Sequence, residues 1–133
     1  MLIDANTYCA KELAHSLAQR ARVLNLLQTV AIVCAKCEYE TWFLASLETI
    51  AGYNLGGRPG LPAGSQYEDN VEELRNVKGW LTQRMPDGRA YKETSDQASM
   101  TARIDIRLAQ SHSRSFRRLC HALNRILGAI DQH

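Results

Sequence analysis

Neither proline nor glycine occurs between residues 5 and 51, whereas "GYNLGGRPGLPAGS" (52 to 65) packs five glycines and two prolines into fourteen residues. Helix-breaking residues are the strongest local punctuation in a chain, so this contrast predicts a long helical run closed by a loop. A break near "KCEYET" (36 to 41) would divide the run into helices of about 30 and about 12 residues, with Asp4 or Asn6 capping the start. Leu13, Leu17, Leu24, Leu27 and Ala31 recur at the three- and four-residue spacing of one helical face.

The rest of the chain reads the same way. A helix over about 66 to 84 would open on Glu68, Asp69, Glu72 and Glu73, acids that suit the positive end of a helix dipole. "MPDGR" (85 to 89) has the residue order of a type I turn. Thr94 and Gln97 could form a capping box before a last helix running from 98 to 131. The expected fold class is all-α: a four- or five-helix bundle with a long N-terminal helix, a Gly/Pro-rich loop and a long basic C-terminal helix. The 133 residues suffice for one domain, interrupted by loops at 52–65 and 85–96.

Composition removes several classes. Apolar residues at 45% and charged residues at 23% are ordinary globular values, which excludes wholesale disorder. "VLNLLQTVAIVCA" (23 to 35) is too short, and too interrupted by Asn25, Gln28 and Thr29, to cross a bilayer. Without a basic stretch ahead of an apolar core, the N-terminus does not read as a signal peptide. No membrane association is expected, the expected location is cytoplasmic, and the four cysteines should be reduced. The apolar run at 23–35 predicts a buried central helix or a homodimer contact.

Net charge is only +2, yet six of the sixteen basic side chains, all arginine, fall between residues 103 and 126. On one continuous helix at about 100° per residue, Arg103, Arg107, Arg114, Arg117, Arg118, His121 and Arg125 share an arc of roughly 100°. The opposite side would carry Ile104, Leu108, Phe116, Leu119, Ala122, Leu123, Ile126, Leu127 and Ile130. Such a ridge would be about 33 Å long. A guanidinium pairs with phosphate or carboxylate through two parallel hydrogen bonds and is more weakly hydrated than an ammonium. The ridge therefore predicts a nucleic acid backbone or an acidic protein surface as partner. Neutralisation from within the chain, by Glu68, Asp69, Glu72 and Glu73, would remove both.

Other chemistry is more thinly marked. Cys34 and Cys37 in "CAKC" would lie one helical turn apart beside an apolar run, where buried core thiols are the expected reading; the alternatives are a redox pair or half of a zinc site completed by Cys9, Cys120, His15 or His121. Glu12 and His15 in "ELAH" have the Glu-x-x-His spacing of di-iron bundles, without the second copy such a site requires. No Gly-Lys-Ser/Thr follows the glycine-rich loop, so it is not read as a phosphate cradle. Arg107-x4-His112 and Arg114-x6-His121 resemble the Arg-x4-6-His signature of HEPN-type helical ribonucleases. That resemblance implies an arginine and a histidine acting on a scissile phosphate at a dimer interface.

Three functions follow as expectations. The first is a non-enzymatic nucleic-acid-associated protein, similar in size and basic face to the small helical subunits of CRISPR effector complexes. The second is an inhibitor or adaptor docking an acidic protein surface, and the third a HEPN-like dimeric ribonuclease. No cofactor is expected.

Overall fold

The computed structural model describes residues 1–5, 9–23, 32–35 and 38–131. It begins with a strand rather than a helix. β1 (Leu2–Asp4) pairs in parallel with β2 (Val33–Ala35), in the register Leu2 to Val33, Ile3 to Cys34 and Asp4 to Ala35. Backbone bonds from Val33 to Met1 (2.8 Å) and from Ala5 to Ala35 (2.9 Å) extend the ladder at both ends. α1 (Ala10–Val23) lies in the connection. Parallel strands need such a crossover because a tight turn can only reverse the chain.

The all-α expectation is thus corrected to a mostly helical chain carrying one small parallel sheet. The long N-terminal helix fails, and Asp4 ends a strand instead of capping a helix. Val33, Cys34 and Ala35 are all buried, so β2 shows no alternation. A short apolar run of this kind cannot be told from a buried helical segment by its period.

α2 (Thr41–Ala45) and α3 (Leu47–Ile50) follow directly. Every residue of α2 is buried, as expected of a helix without a polar side. The rings of Tyr39, Phe43 and Phe116 gather around Trp42 and its neighbours, with Trp42 and Phe116 edge to face at 5.3 Å. Ile50, Leu55, Leu61, Val77, Leu81, Met100 and Ala109 belong to the same buried core. Ser46 separates α2 from α3 because its hydroxyl is turned inward, accepting from the Asp105 amide at 2.8 Å.

The loop at 52–65 is present as expected and is pinned. Gly52 donates to Leu61 at 2.7 Å, and Leu55 and Arg58 exchange backbone hydrogen bonds. Arg89 reaches the Pro59 carbonyl at 2.8 Å. The expected helix over 66 to 84 shrinks to a 3₁₀ turn at Val71–Glu73 and α4 (Val77–Arg84). Pro86–Gly88 form a second 3₁₀ turn, with Asp87 at a φ of 57°. The 85–96 loop ends early, since α5 (Glu93–Thr101) already holds Thr94 and Gln97. No capping box forms. Asp96 accepts from the Lys92 amide, and Gln97 donates to Glu40.

The single helix over 98 to 131 is corrected to three pieces: the end of α5, α6 (Ile106–His112) and α7 (Arg114–Asp131). Asp105 caps α6 through the Leu108 amide at 2.9 Å. Ser113 is extended, and its hydroxyl accepts from Phe116 while donating to Glu72. Serine side chains that bond nearby backbone offer the chain an alternative to helix, and "SHSRS" takes it. Among the described residues no helix is long and apolar enough to cross a membrane.

Candidate functional site

The break at Ser113 halves the expected ridge. Arg114, Arg117, Arg118, His121 and Arg125 remain on one face of α7, all exposed, over about 17 Å at 1.5 Å per residue. Arg107 is exposed on the separate helix α6. Arg103 leaves the face entirely: it sits in the turn before α6, with its guanidinium 3.8 Å from the centre of the Tyr53 ring. The apolar side is also only partly covered. Phe116 and Ala122 are buried, whereas Leu123 and Leu127 are exposed.

The face is not flat. Arg114, Arg117 and Arg118 border a cleft of about 800 Å³ whose other wall carries Cys9 and Lys11 of the α1 start. Arg118, His121 and Arg125 border a hollow of about 400 Å³ beside Ala14 and β2. Lys11 thus joins the cations, a residue that sequence reasoning missed. Only the packing of α1 and α7 against β2 brings it there.

Internal neutralisation takes a different form from the one expected. The ion pairs found among the described residues are Arg58–Asp96, Arg89–Asp96, Lys78–Glu38 and Lys78–Glu93, none of which uses an arginine of α7. Glu68 and Asp69 line another hollow, of about 570 Å³, beside Leu44 and His112. Glu73 is exposed. Glu72 is buried and serves the helix start, accepting from the Ser115 amide (2.7 Å) and the Ser113 hydroxyl (2.9 Å). A carboxylate there suits the positive end of the α7 dipole.

The remaining sequence candidates disperse. Arg107 and His112 lie about 140° apart around α6, and Arg114 and His121 share a face about two turns apart. His112 is exposed, with Nδ1 3.2 Å from the Ala45 carbonyl; since a carbonyl only accepts, Nδ1 donates. Cys34 is buried in a strand, not on a helix, and Cys37 lies outside the described residues. Glu12 and His15 are exposed on α1. Of the stretch 23–35 read as a dimer contact, 24–31 lies outside the described residues, and Val33–Ala35 is buried against β1.

A second cluster was hidden inside the segment read as a helix break. Glu38 Oε1 accepts from the Val77 amide at 3.0 Å, and its Oε2 lies 3.9 Å from Lys78 Nζ. Lys78 also pairs with Glu93. Glu40 is 1% exposed, and its Oε1 accepts from the Tyr91 hydroxyl (2.9 Å) and Gln97 (3.1 Å). Burial raises the Asp4 carboxyl, the Glu40 charge raises it further, and the Tyr39 amide and Lys78 offset part of this. Glu38 is raised by burial first and by Glu40 and Asp4 after it, against the Val77 amide and Lys78. The Tyr91 hydroxyl is pushed up by burial and by Glu40.

The family model described as "Domain of unknown function (DUF4276)" matches residues 1–124. The chain belongs to that family. The DUF4276 match runs from β1 into α7 and takes in the acidic cluster and the arginine face as far as His121, with Arg125 just beyond it. No curated protein and no solved structure matches this DUF4276 chain.

Proposed function

We propose that this protein binds the phosphate backbone of nucleic acid through the arginine face of α7 and the cleft beside it, without chemistry of its own at that face. One observation carries the reading: Arg114, Arg117, Arg118 and Arg125 are exposed on one side of a helix and enter none of the ion pairs among the described residues; Arg117 also donates to the Gln110 carbonyl at 2.6 Å, which leaves its charge uncompensated. Guanidinium groups so placed meet phosphate with two hydrogen bonds each at little desolvation cost. The face carries no aromatic ring, so contacts to the backbone are favoured over stacking on bases.

Fluorescence anisotropy with labelled single- and double-stranded oligonucleotides, repeated across a salt series, tests this. Four phosphate contacts predict that log K falls against log salt with a slope of about −3.6 on duplex, with little dependence on sequence. Absence of binding at low salt overturns the reading.

A second reading, docking on an acidic protein surface, is favoured by a different feature. The side of α7 away from the arginines leaves Leu123 and Leu127 exposed, 49% and 57%. Apolar side chains beside a charged helix face suit a protein partner better than a phosphate chain.

A further inference from the structure

The carboxyl ends of β1 and β2 open on one edge, where Asp4 closes β1 and Glu38 and Glu40 follow β2 within five residues. Parallel strands hold ligands beyond their carboxyl ends, because the chain leaves each strand there and opens a crevice. Glu93 of α5 joins the same group through Lys78, whose ammonium pairs with Glu38 and Glu93.

Their oxygens are not equally engaged. Both oxygens of Glu38 have partners, the Val77 amide and Lys78. In Glu40, Oε1 has Tyr91 and Gln97, whereas Oε2 is buried with no hydrogen-bond partner among the described residues. A buried carboxylate oxygen without a donor is costly unless a proton or a cation takes it. The donors here are all carboxylate oxygens, which suit hard divalent ions rather than zinc or copper. Among the described residues no three acid, histidine or thiol groups form a ready-made cage. An ion held here would have only one or two carboxylate ligands from the chain, a mode that magnesium adopts while keeping several waters.

We propose that Asp4 and Glu40 hold a divalent cation of the magnesium or manganese type at the carboxyl edge of the β1–β2 pair, with Glu38 contributing through water. Oε2 of Glu40 is the oxygen left for the ion. Asp4, half-buried at the end of β1, supplies the second ligand and faces the crevice from the other strand. Lys78 holds Glu38 and Glu93 in place while it partly offsets their charge.

The test uses the full chain, stripped with chelator and titrated with manganese chloride, with free manganese read by electron paramagnetic resonance. One manganese per chain is expected, displaced by excess magnesium. Glu40→Gln and Asp4→Asn should each weaken binding tenfold or more, while Glu12→Gln on the exposed side of α1 leaves it unchanged. Glu40→Gln keeps an oxygen for Tyr91, and circular dichroism checks its fold; if it fails to fold, Asp4→Asn decides alone. Absence of stoichiometric binding up to millimolar manganese, or wild-type affinity in a folded variant of either residue, overturns the proposal. No oligonucleotide enters the measurement, so its outcome is separate from that of the phosphate-binding reading.

Discussion

Glu72 and Ser115 meet at 2.7 Å, the Glu72 carboxylate accepting from the Ser115 backbone amide at the first turn of α7. One buried acid thereby ties the 3₁₀ turn at Val71–Glu73 to the helix that carries the arginines. Ser115 in turn accepts from Trp42 Nε1 at 2.8 Å, which continues the tie into α2. Glu72→Ala should lose about 2–3 kcal/mol in urea unfolding, because hydrogen bonds to a charged group go and buried donors remain. Glu72→Gln keeps an acceptor oxygen and should lose less. Equal losses in the two variants would contradict this account.

The arginine face predicts a graded electrostatic response. Replacing Arg114, Arg117 or Arg118 singly with Gln should reduce the steepness of the salt slope by about 0.9 each, and weaken binding to all sequences alike. Arg103→Gln should leave the slope unchanged, since Arg103 stacks on Tyr53 away from the face. Anisotropy titrations of the four variants separate these outcomes.

Acid sensitivity should centre on Asp96. Its side chain is fully buried, and burial alone would raise its carboxyl. Two hydrogen bonds from Arg89, the Lys92 amide and the charges of Arg89 and Arg58 outweigh burial and hold it below the usual range. A lowered folded pKa stabilises above the unfolded carboxylate range, and that contribution is lost as pH falls through the folded value. Asp96→Asn should cost about 3 kcal/mol near neutral pH by leaving Arg89 without its counter-charge. The difference from wild type should shrink below about pH 4. Asp4 and Glu38 are shifted the opposite way and favour folding at low pH, but they cancel in this difference. Denaturant midpoints across pH for the two proteins give the measurement.

Gly60 should tolerate no side chain. A Cβ there would lie 2.3 Å from the Tyr53 carbonyl oxygen and 2.9 Å from the Leu55 side chain, which is itself buried. Gly60→Ala should cost about 1–3 kcal/mol by overpacking. Gly128→Ala, with open space around the position, should stabilise α7 by up to about 1 kcal/mol. Thermal unfolding of both variants distinguishes a lack of room from a general effect of losing glycine.

The loop at 52–65 was legible because glycine and proline act on the backbone locally. The arginine face was legible where the helix persists, from Arg114 to Arg125, since side chains three and four apart share a side whatever the helix packs against. It failed at Arg103 and Arg107. The break at Ser113 depends on Glu72, 41 residues away, which makes the extended serine worth more than one further helical turn. The acidic cluster went unseen for the same reason: Asp4 and Glu40 have no periodic relation, and only strand pairing brings them to one edge.

From sequence alone came the predominantly helical content, the place of the glycine-rich loop and the one-sided charge of α7. These rest on propensities and periods that act within a few residues. Tertiary structure decided that the chain starts with a parallel strand pair, that α6 and α7 are separate, and that Glu72 bonds the start of α7 rather than its arginines. Short buried strands and buried polar contacts gain their stability from partners distant in sequence, and a local pattern carries no record of those partners.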